Sequence, residues 1–453
     1  AVKYYGARGR FVTLGDYETV DAALRLTNQA LLLPTGSSSV TIGGDYRLNH
    51  LAPYSGIARF GDGSFAGTPS PTLARTIERI SVFGELQAPL LPARWLPSWI
   101  SNIKTEIAAR YVVSDSAQES NLAPTGGLKI DFAGGFSLRS TIATSNRLPP
   151  PILSRAAPVP VTPGTGSGEI SYVSVTDPLR GNEKNDFVVS SELINTSLRP
   201  ESAVTRTIGL IFQRGQVHRI RTALDIADTR KSGEQSFLNA STIVGLESSF
   251  PGRVERAPPA AGESAGRIVS VLTVTFNLAY RHSQNWSGAV DYAWTECFGG
   301  RLDVYGRWLY FQRYELQLLP GSPTVDEIRF PDGAAPGLLR HRVNFGSSWS
   351  TPRFGFGWDG HYFHSRKLSP TERAAQGDSK IDPFWQFDAY TQTDLARFLS
   401  WKNPRFGLRG QLRVNNLLNE APPRYAAESS GVGVQSYGDW RGRVYSVSVT
   451  ATF

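Results

Sequence analysis

The sequence lacks methionine, has a single cysteine and contains no run of 18 apolar residues. One thiol cannot form an internal disulfide or a metal site built from several cysteines, so Cys297 is interpreted as an incidental small residue in a turn. A membrane-spanning helix needs about 20 predominantly apolar residues, which excludes that class of protein. The chain starts at Ala1 with no pattern typical of a signal peptide, and we expect a processed chain or a fragment.

Charge is also scarce. Asp, Glu, Lys and Arg make up 19% of the 453 residues, below the roughly 25% of ordinary globular proteins. The net charge is +8, but Lys and Arg are scattered over the chain without a cluster of five or more. A basic patch is what nucleic acid would require, so no nucleic-acid partner is predicted.

Aromatic residues, glycine and proline are abundant instead, with 11% aromatics, 44 Gly and 29 Pro. The mean hydropathy of −0.24 is typical of soluble proteins. A transmembrane β-barrel has a similar value, because half of each strand faces a polar interior. Mean hydropathy therefore does not decide the class, and the residue pattern must.

Alternation of apolar and polar residues is clearest at the C-terminal end, from Val444 onward. Tyr445, Val447 and Val449 fall on one side of an extended strand, and small polar residues fall on the other. Successive side chains of a strand point to opposite faces. This segment is therefore predicted to be a strand with one apolar face.

About fifteen such strands, of roughly 9–15 residues, follow one another along the chain. Short connections are expected at 34–38, 92–103, 131–135, 213–216, 297–300, 351–353 and 397–404. The alternate segments are mostly longer, at 1–17, 52–71, 116–124, 146–200, 229–265, 314–336, 367–383 and 418–440. Residues 266–296 are read as one long bent strand with an interruption near 282–288, and a short helix is expected around 235–248. Short turns at one rim and long loops at the other are typical of outer-membrane barrels.

The chemistry of the strand faces agrees with that class. Arg409 and Arg413 alternate with Leu408 and Leu412 on one strand, which suits a sheet with one face in lipid and one in water. Trp and Tyr near predicted strand ends fit interfacial aromatic girdles, and they are Trp95, Trp99, Trp286, Trp294, Trp349, Trp358 and Tyr445. The sequence predicts an all-β fold, a transmembrane antiparallel β-barrel.

Four stretches resemble a known family. Val414–Asn419 is followed by Pro422-Pro423, and then Gly442–Tyr445 leads to a terminal Phe453. This order is similar to the C-terminal end of TonB-dependent outer-membrane receptors, with Leu418 where those usually have Phe. Three further stretches resemble the family's strands in the correct order, and they are 198–210, 137–149 and 288–291.

The resemblance implies a 22-stranded barrel plugged by an N-terminal domain, with a TonB box that couples the plug to an inner-membrane energy complex. About 15 of the 22 strands would be present, so residues 1–453 are interpreted as the C-terminal part of the barrel, with the plug and first strands missing. Residues 1–17 would be the outer loop before the eighth strand. The implied function is energy-dependent uptake of a scarce nutrient across the outer membrane of a Gram-negative bacterium. Outer-membrane lipid, the TonB complex and a small-molecule substrate are the implied partners.

No catalytic constellation is recognised, so the chain is not predicted to be an enzyme, and no cofactor or metal is expected. His361 and His364 are three residues apart on or just past a strand, where their side chains point to opposite faces. Gly134-Gly135 and Gly299-Gly300 are interpreted as turns rather than phosphate loops, because no helix follows them.

Ligand binding is the remaining chemistry. Tyr425, Tyr437 and Trp440 in the segment 418–440 are candidates for stacking on a ligand, although loop packing accounts for them equally well. Loops 146–185 and 229–265 are further candidates. Arg139, Arg409 and Arg413 are candidates for contact with an anionic ligand, and pairing with carboxylates is the favoured alternative for these arginines.

Three other functions are left open. A passive porin-like channel would have the same sheet but no plug. A soluble or cell-surface β-rich binding protein would be recovered in the aqueous fraction rather than in the outer-membrane fraction. An enzyme anchored in the outer membrane is the most distant reading.

Overall fold

The computed structural model describes most of the chain. The described residues are 10–14, 17–51, 55–59, 65–66, 75–115, 121–149, 170–193, 198–329, 338–368, 370–399, 407–427, 431–434 and 441–452. All statements below concern these residues.

Fifteen strands form one continuous antiparallel meander in which each strand pairs with the next. In chain order they are β1 (Tyr17–Leu33), β2 (Gly36–Leu51), β3 (Arg75–Pro89), β4 (Ile100–Ser114), β5 (Asn121–Phe132), β6 (Phe136–Arg147), β7 (Glu201–Arg214), β8 (His218–Leu238), β9 (Ile268–Cys297), β10 (Gly300–Gln317), β11 (His341–Ser350), β12 (Phe354–Phe363), β13 (Phe384–Asp394), β14 (Gly407–Asn415) and β15 (Val444–Thr452). The predicted all-β antiparallel fold and the predicted order of strands are confirmed.

Connection lengths alternate along the meander, as the sequence predicts. Pro34-Thr35 joins β1 to β2, and Phe298-Gly299 joins β9 to β10, each as a two-residue turn. Most intervening connections are longer, for example between β6 and β7, although only six residues separate β4 from β5. Because neighbouring strands are antiparallel, all short turns lie at one edge of the sheet, here called the short-turn end. The opposite edge is the long-loop end.

The two faces of the sheet differ in chemistry. Side chains such as Arg139, Asp225 and Asp359 share what we call the polar face. The other face, called the apolar face, carries large hydrophobic side chains that are exposed, including Leu24, Ile80, Ile107, Ile142, Leu210, Val290, Phe356 and Val447. A sheet that exposes one apolar face has the pattern of a lipid-facing wall.

Aromatic side chains form two bands on the apolar face. Near the long-loop end are Trp308, Tyr310, His341, Tyr362 and Trp385, with the Tyr310 and His341 rings 4.8 Å apart. Near the short-turn end are Phe136, Phe212, Trp294, Trp349 and Phe356, with the Trp349 and Phe356 rings 5.7 Å apart. His341 and Trp349 are eight residues apart on β11, or about 26 Å at the usual strand rise. Tilted strands bring this close to the height of a barrel's apolar band.

One predicted girdle residue lies elsewhere. Trp358 is the fifth residue of β12 and sits between the two bands. It packs edge-on against Phe345 at 5.6 Å. Its position follows from the length of β12, which the sequence pattern alone does not fix.

A folded unit interrupts two segments that were predicted to be loops. Within 146–200 the strands Ile170–Asp177 and Glu183–Leu193 form a hairpin, with a 3₁₀ turn at Pro178–Arg180. Within 229–265 strand β8 continues to Leu238, and helix α1 (Ala240–Gly245) and strand Val254–Arg256 follow. The short helix predicted around 235–248 is confirmed. We call these elements together with the start of β9 the loop domain. Its buried core includes Val175, Leu238, Ile243, Val244, Phe250 and Val271.

Strand β9 also differs from the expectation. It runs for 30 residues without the break predicted near 282–288. Only a register shift occurs there, between Gln284 and Asn285 where β9 pairs with β10. The His-Ser-Gln-Asn stretch is polar because it lies beyond the apolar band, so the drop in hydrophobicity was mistaken for a turn.

The remaining elements are short. The predicted outer loops 1–17 and 52–71 contain the paired strands Arg10–Leu14, Ser55–Arg59 and Phe65–Ala66, and 367–383 contains part of the Arg366–Lys367 and Lys380–Ile381 pair. The others are Val325–Asp326, Arg424–Ala427, Gly431–Val434, helices Pro370–Gln376 and Leu395–Phe398, and 3₁₀ turns Ala93–Trp95 and Glu247–Ser249. Among the described helices, none has both the length and the apolar character that crossing a membrane requires.

Candidate functional site

Ion pairs cross the polar face from strand to strand. Arg139 of β6 donates two hydrogen bonds to Asp225 of β8, at 2.9 and 2.8 Å. Strand β7 lies between them and presents Gly209 at this position. A Cβ at Gly209 would lie 1.9 Å from the Asp225 carboxylate. The missing side chain is therefore what allows residues two strands apart to meet.

A glycine between two interacting polar side chains also occurs further along the sheet. The Tyr305 hydroxyl on β10 donates to Asp359 on β12 at 2.6 Å, above Gly346 of β11. Arg413 of β14 lies 3.8 Å from Asp359 and 3.3 Å from Asp388. The polar face is thus a network of paired charges rather than a row of independent ones.

A concavity of about 760 Å³ opens on the polar face at the long-loop end of β2 to β6. Four arginines line it, which we call the arginine pocket: Arg47, Arg79, Arg110 and Arg147. Amide and hydroxyl side chains complete the wall, among them Asn49, Ser114, Asn121 and Asn146. Such donors match the oxygen-rich surface of an acidic small molecule.

Carboxylates hold the arginines in place but do not neutralise all of their positive charge. Arg110 bonds to Asp45, which also accepts from Ser81 at 2.6 Å, and Arg47 bonds to Asp21. Glu201 lies 3.8 Å from Arg147. Among the described residues, four guanidinium groups thus lie beside three carboxylates. Since the excess is positive, the pocket favours an anion.

Arg79 is the least satisfied member of the arginine pocket. Its terminal nitrogen is 3.9 Å from Asp45, and its buried Nε has no hydrogen-bond partner among the described residues. A buried donor without a partner costs free energy. A ligand oxygen at this position would satisfy it.

The arginines proposed from sequence have other positions. Arg139 and Arg413 are held by carboxylates, in line with the alternative that favoured pairing. Arg409 is exposed on β14 and forms no ion pair with any described residue. None of the three lines the arginine pocket.

Tyr425 lies in the segment predicted to be a ligand-binding loop. Its hydroxyl donates to Glu372 at 2.6 Å, and the Arg366 guanidinium lies 4.9 Å from its ring centre. The hydrogen bond to Glu372 raises the pKa of the Tyr425 phenol above its ordinary value. Tyr425 thus ties two loops together. Tyr437 and Trp440 lie outside the described residues.

A buried ion cluster stabilises the loop domain beside the site. Asp177 is fully buried and receives two hydrogen bonds from Arg256, at 2.6 and 2.9 Å. Glu247 accepts from the same guanidinium at 2.6 Å. The hydrogen bonds from Arg256 lower the pKa of the Asp177 carboxyl and thereby keep it charged.

A second cluster lies nearer to the surface of the loop domain. Arg180 donates to Glu183 at 2.8 Å and to Glu263 at 2.6 Å. The hydrogen bond from Arg180 lowers the pKa of Glu263 to about 2. The segment between Val254–Arg256 and β9 is therefore fixed to the hairpin.

His361 and His364 have separate partners. His361 Nδ1 is 2.8 Å from Asn344 on the polar face, and His364 Nδ1 is 3.0 Å from the Tyr362 hydroxyl. Among the described residues no three or more His, Cys, Asp or Glu side chains converge as metal ligands would.

The arginine pocket was missed by the sequence reading. Arg47, Arg79 and Arg110 stand on three different strands, and only the pairing register of β2, β3 and β4 brings them to one concavity, with Arg47 opposite Arg79 and Arg110 opposite Phe83. A usable signal was nevertheless present for Arg47 and Arg110, since each lies between two apolar or aromatic residues of its strand.

Comparisons with known proteins address the fold and the family. Residues 2–417 match the family described as TonB dependent receptor-like, beta-barrel. No curated protein sequence matches the chain significantly.

Solved structures are similar over nearly the whole chain. A variant of the ferric enterobactin receptor PfeA of Pseudomonas aeruginosa has a TM-score of 0.60 and 11% identity, over 97% of this chain and 54% of that one. The outer membrane transporter YddB of Escherichia coli has a TM-score of 0.60 and 10% identity, over 97% and 54%. The siderophore receptor PirA of Acinetobacter baumannii has a TM-score of 0.56 and 10% identity, over 98% and 55%.

The chain thus spans about half the length of these receptors, and identities this low establish a shared fold only. The family match covers most of the chain and agrees with the two-faced antiparallel sheet. The chain therefore belongs to the TonB-dependent receptor β-barrel family of Gram-negative outer-membrane proteins.

Proposed function

We propose that residues 1–453 are the barrel portion of a receptor that imports a scarce nutrient across the outer membrane with energy from TonB. The family match over residues 2–417 carries this proposal. The similar receptors are about twice as long as this chain, which supports a plug and a TonB-contacting segment elsewhere in a longer protein. The chain then lies in outer-membrane lipid, with the long-loop end toward the outside.

The substrate class follows from charge. The arginine pocket has an excess of guanidinium groups and an unsatisfied donor at Arg79. We therefore propose an anionic small molecule, such as a chelate or conjugate with acidic groups. Siderophores, vitamins, peptides and glycans that carry such groups all remain within this class.

Several loop and polar-face residues are proposed to assist. Arg409 presents an exposed guanidinium on the polar face. Tyr425, Tyr437 and Trp440 are proposed to contact ligand from the loop before β15. Arg139 and Arg413 are proposed to act through the network that they form, because both are already held by carboxylates.

A passive porin-like channel is the competing function, since a porin also has an apolar outer face and a charged interior. The decisive experiment expresses the full-length gene in a Gram-negative host and measures uptake of labelled anionic nutrients. Energy-dependent import predicts that uptake stops when TonB is deleted or the proton gradient is collapsed. Uptake that continues under both conditions would establish the porin.

The role of the arginine pocket is tested by substitution. Arg79→Gln and Arg110→Gln are expected to raise the KM for uptake of an anionic ligand about tenfold or more, since each removes a charge-assisted hydrogen bond. Arg301→Gln is the matched control, because Arg301 is exposed at the short-turn end of β10 and pairs with Asp303. An equal effect of all three substitutions would refute a specific site.

A further inference from the structure

A second concavity on the polar face, of about 390 Å³, lies at the short-turn end of β7 to β10, the end opposite to the arginine pocket. We call it the short-turn pocket, and its polar lining includes Gln213, Arg219, Arg221, Asp291, Arg301 and Asp303. These side chains share one face of the sheet, since Gln213 and Asp291 are the pairing partners of Arg221 on the two neighbouring strands. All of them lie within 198–329, a range that the structure describes without a gap.

Both carboxylates of the short-turn pocket already have an arginine partner. Asp303 accepts three hydrogen bonds from the Arg301 guanidinium, at 3.0, 2.8 and 2.7 Å. Asp291 accepts from Arg307, whose guanidinium also donates to two backbone carbonyls. The negative charge in the pocket is therefore matched before the arginines of β8 are considered.

Arg219 and Arg221 of β8 are the arginines that remain. The side chain of Arg219 forms no ion pair with any described residue, and Arg221 lies 3.9 Å from Asp291, beyond hydrogen-bond distance. The two arginines are two residues apart on one face, or about 7 Å along the strand. Like charges at this distance repel each other. An anion bound between them would remove the repulsion and accept hydrogen bonds from both.

Arginines also occur along the polar face between the two pockets. Arg147 lines the arginine pocket, and Arg139 lies eight residues away on the same strand, or about 26 Å. Arg139 is held by Asp225 of β8, and Arg221 lies four residues from Asp225, or about 13 Å. An anion that moves along this face from the long-loop end therefore meets guanidinium groups until it reaches the short-turn pocket.

We propose that the short-turn pocket is a second anion site, where a molecule released from the arginine pocket binds to Arg219 and Arg221 before it leaves the barrel. This inference deepens the proposed function and rests on it, because import sets the direction of movement. The molecule carries carboxylate or phosphate groups, since a guanidinium donates two parallel hydrogen bonds to either. Several sites in series favour passage, whereas a single tight site retains its ligand.

The test is equilibrium dialysis of the full-length protein, purified in detergent, against radiolabelled inorganic pyrophosphate. Wild type is expected to bind two pyrophosphates, one in each pocket. Arg219→Gln/Arg221→Gln is expected to weaken one of the two sites about tenfold or more, and Arg79→Gln/Arg110→Gln the other. A wild-type stoichiometry of one, or two unchanged sites in Arg219→Gln/Arg221→Gln, would overturn the proposal.

A matched control separates the site from the effect of overall charge. Arg214→Gln/Arg353→Gln removes two exposed arginines that lie at the same end of the sheet but do not line the short-turn pocket. It should bind two pyrophosphates with wild-type affinity, and a loss equal to that of Arg219→Gln/Arg221→Gln would overturn the proposal. A single pyrophosphate on wild type, together with a lower melting temperature of Arg219→Gln/Arg221→Gln, would instead assign these arginines to a contact with another part of the full-length protein.

The transport assay gives a second readout, which a purely structural role would not produce. Because the short-turn pocket acts after capture, Arg219→Gln/Arg221→Gln should lower the maximal rate of uptake of the labelled anionic nutrients about tenfold, with a KM within about twofold of wild type. Substitution of Arg79 is expected to raise the KM instead. A raised KM with an unchanged maximal rate in Arg219→Gln/Arg221→Gln would place these arginines in capture and refute a role after it.

Failure of the transport proposal is distinguishable from failure of this one. TonB-independent uptake together with two pyrophosphate sites would refute active import and leave the second anion site in place. TonB-dependent uptake with a single pyrophosphate site would refute only the second anion site.

Discussion

The side chain of Asn416 makes two reciprocal hydrogen bonds with the backbone of Glu420, donating from Nδ2 at 2.7 Å and accepting at Oδ1 at 2.9 Å. Asn416 is fully buried and has a φ of 54°, a conformation that asparagine tolerates better than most residues. Its backbone N–H donates to Asp388 at 2.8 Å. The asparagine thus ends β14 and fixes the start of the following loop.

Asn416→Ala is predicted to destabilise the sheet. It removes both side-chain bonds to Glu420 and places alanine at a positive φ, at a cost of about 1–3 kcal/mol. We expect a lower urea midpoint for unfolding from lipid vesicles, followed by heat-modifiable electrophoretic mobility. Asn102→Ala is the control, since Asn102 is only half-buried on β4. A midpoint equal to that of the control would show that the cap is dispensable.

Gly209→Ala is predicted to break the Arg139–Asp225 ion pair. The new methyl group would occupy the position of the Asp225 carboxylate, so that side chain must move. Overpacking of this kind typically costs about 1–3 kcal/mol. The same unfolding assay measures it, with Gly84→Ala as the control in open space. Equal stability of the two variants would mean that the ion pair relocates without loss.

The loop domain is predicted to loosen in acid. Because the pKa of Asp177 is lowered in the folded state, its contribution to stability is present above the unfolded pKa of about 3.9 and is lost as pH falls through the folded pKa. Limited proteolysis between pH 7 and pH 3 should show cleavage of the 170–193 hairpin appearing only at the acid end.

Arg256→Met is predicted to produce that loosening at neutral pH. It leaves the Asp177 carboxylate buried without its partner, which typically costs about 3–5 kcal/mol. Asp177→Asn should be milder, because the buried charge is removed along with the ion pair. If Arg256→Met resists proteolysis as wild type does, the ion cluster does not hold the loop domain together.

Tyr425 is predicted to titrate later than an ordinary tyrosine. Its phenol donates to Glu372, and this bond raises its pKa. The stability that the bond provides is present below the ordinary tyrosine pKa of about 10 and is lost as pH rises through the raised value. The ultraviolet absorbance difference between wild type and Tyr425→Phe isolates this residue, and its midpoint should lie above pH 10. Glu372→Gln should move the midpoint down, and no movement would assign the shift to burial alone.

Much of the fold could be predicted because the signals are local. The alternation of Tyr445, Val447 and Val449 with small polar residues marks β15 directly, and the lengths of the turns order the other strands. The break predicted near 282–288 was wrong because a polar stretch has two possible causes. It can mark a turn, or it can mark a part of a continuous strand that extends beyond the lipid. Sequence composition does not separate them.

The site was harder to predict because its residues meet only through register. Arg79 lies next to Asp45 and Arg110 because β2, β3 and β4 pair at one particular offset. A shift by one residue would turn each side chain to the opposite face. Likewise, nothing near Arg139 in sequence shows that its partner lies 86 positions away at Asp225.

Strand length varies strongly around the sheet, with consequences for solutes that approach it. Strand β9 has 30 residues and β15 has 9, which correspond to about 100 Å and about 30 Å of extended chain. One side of the sheet is therefore built from long strands and extends further than the side built from short strands. We expect a diffusing molecule to reach the polar face more easily on the side of the short strands than past β8 and β9, which extend further. Capture from solution would then be directional, with encounters from one quarter of the surface more productive than those from the opposite quarter.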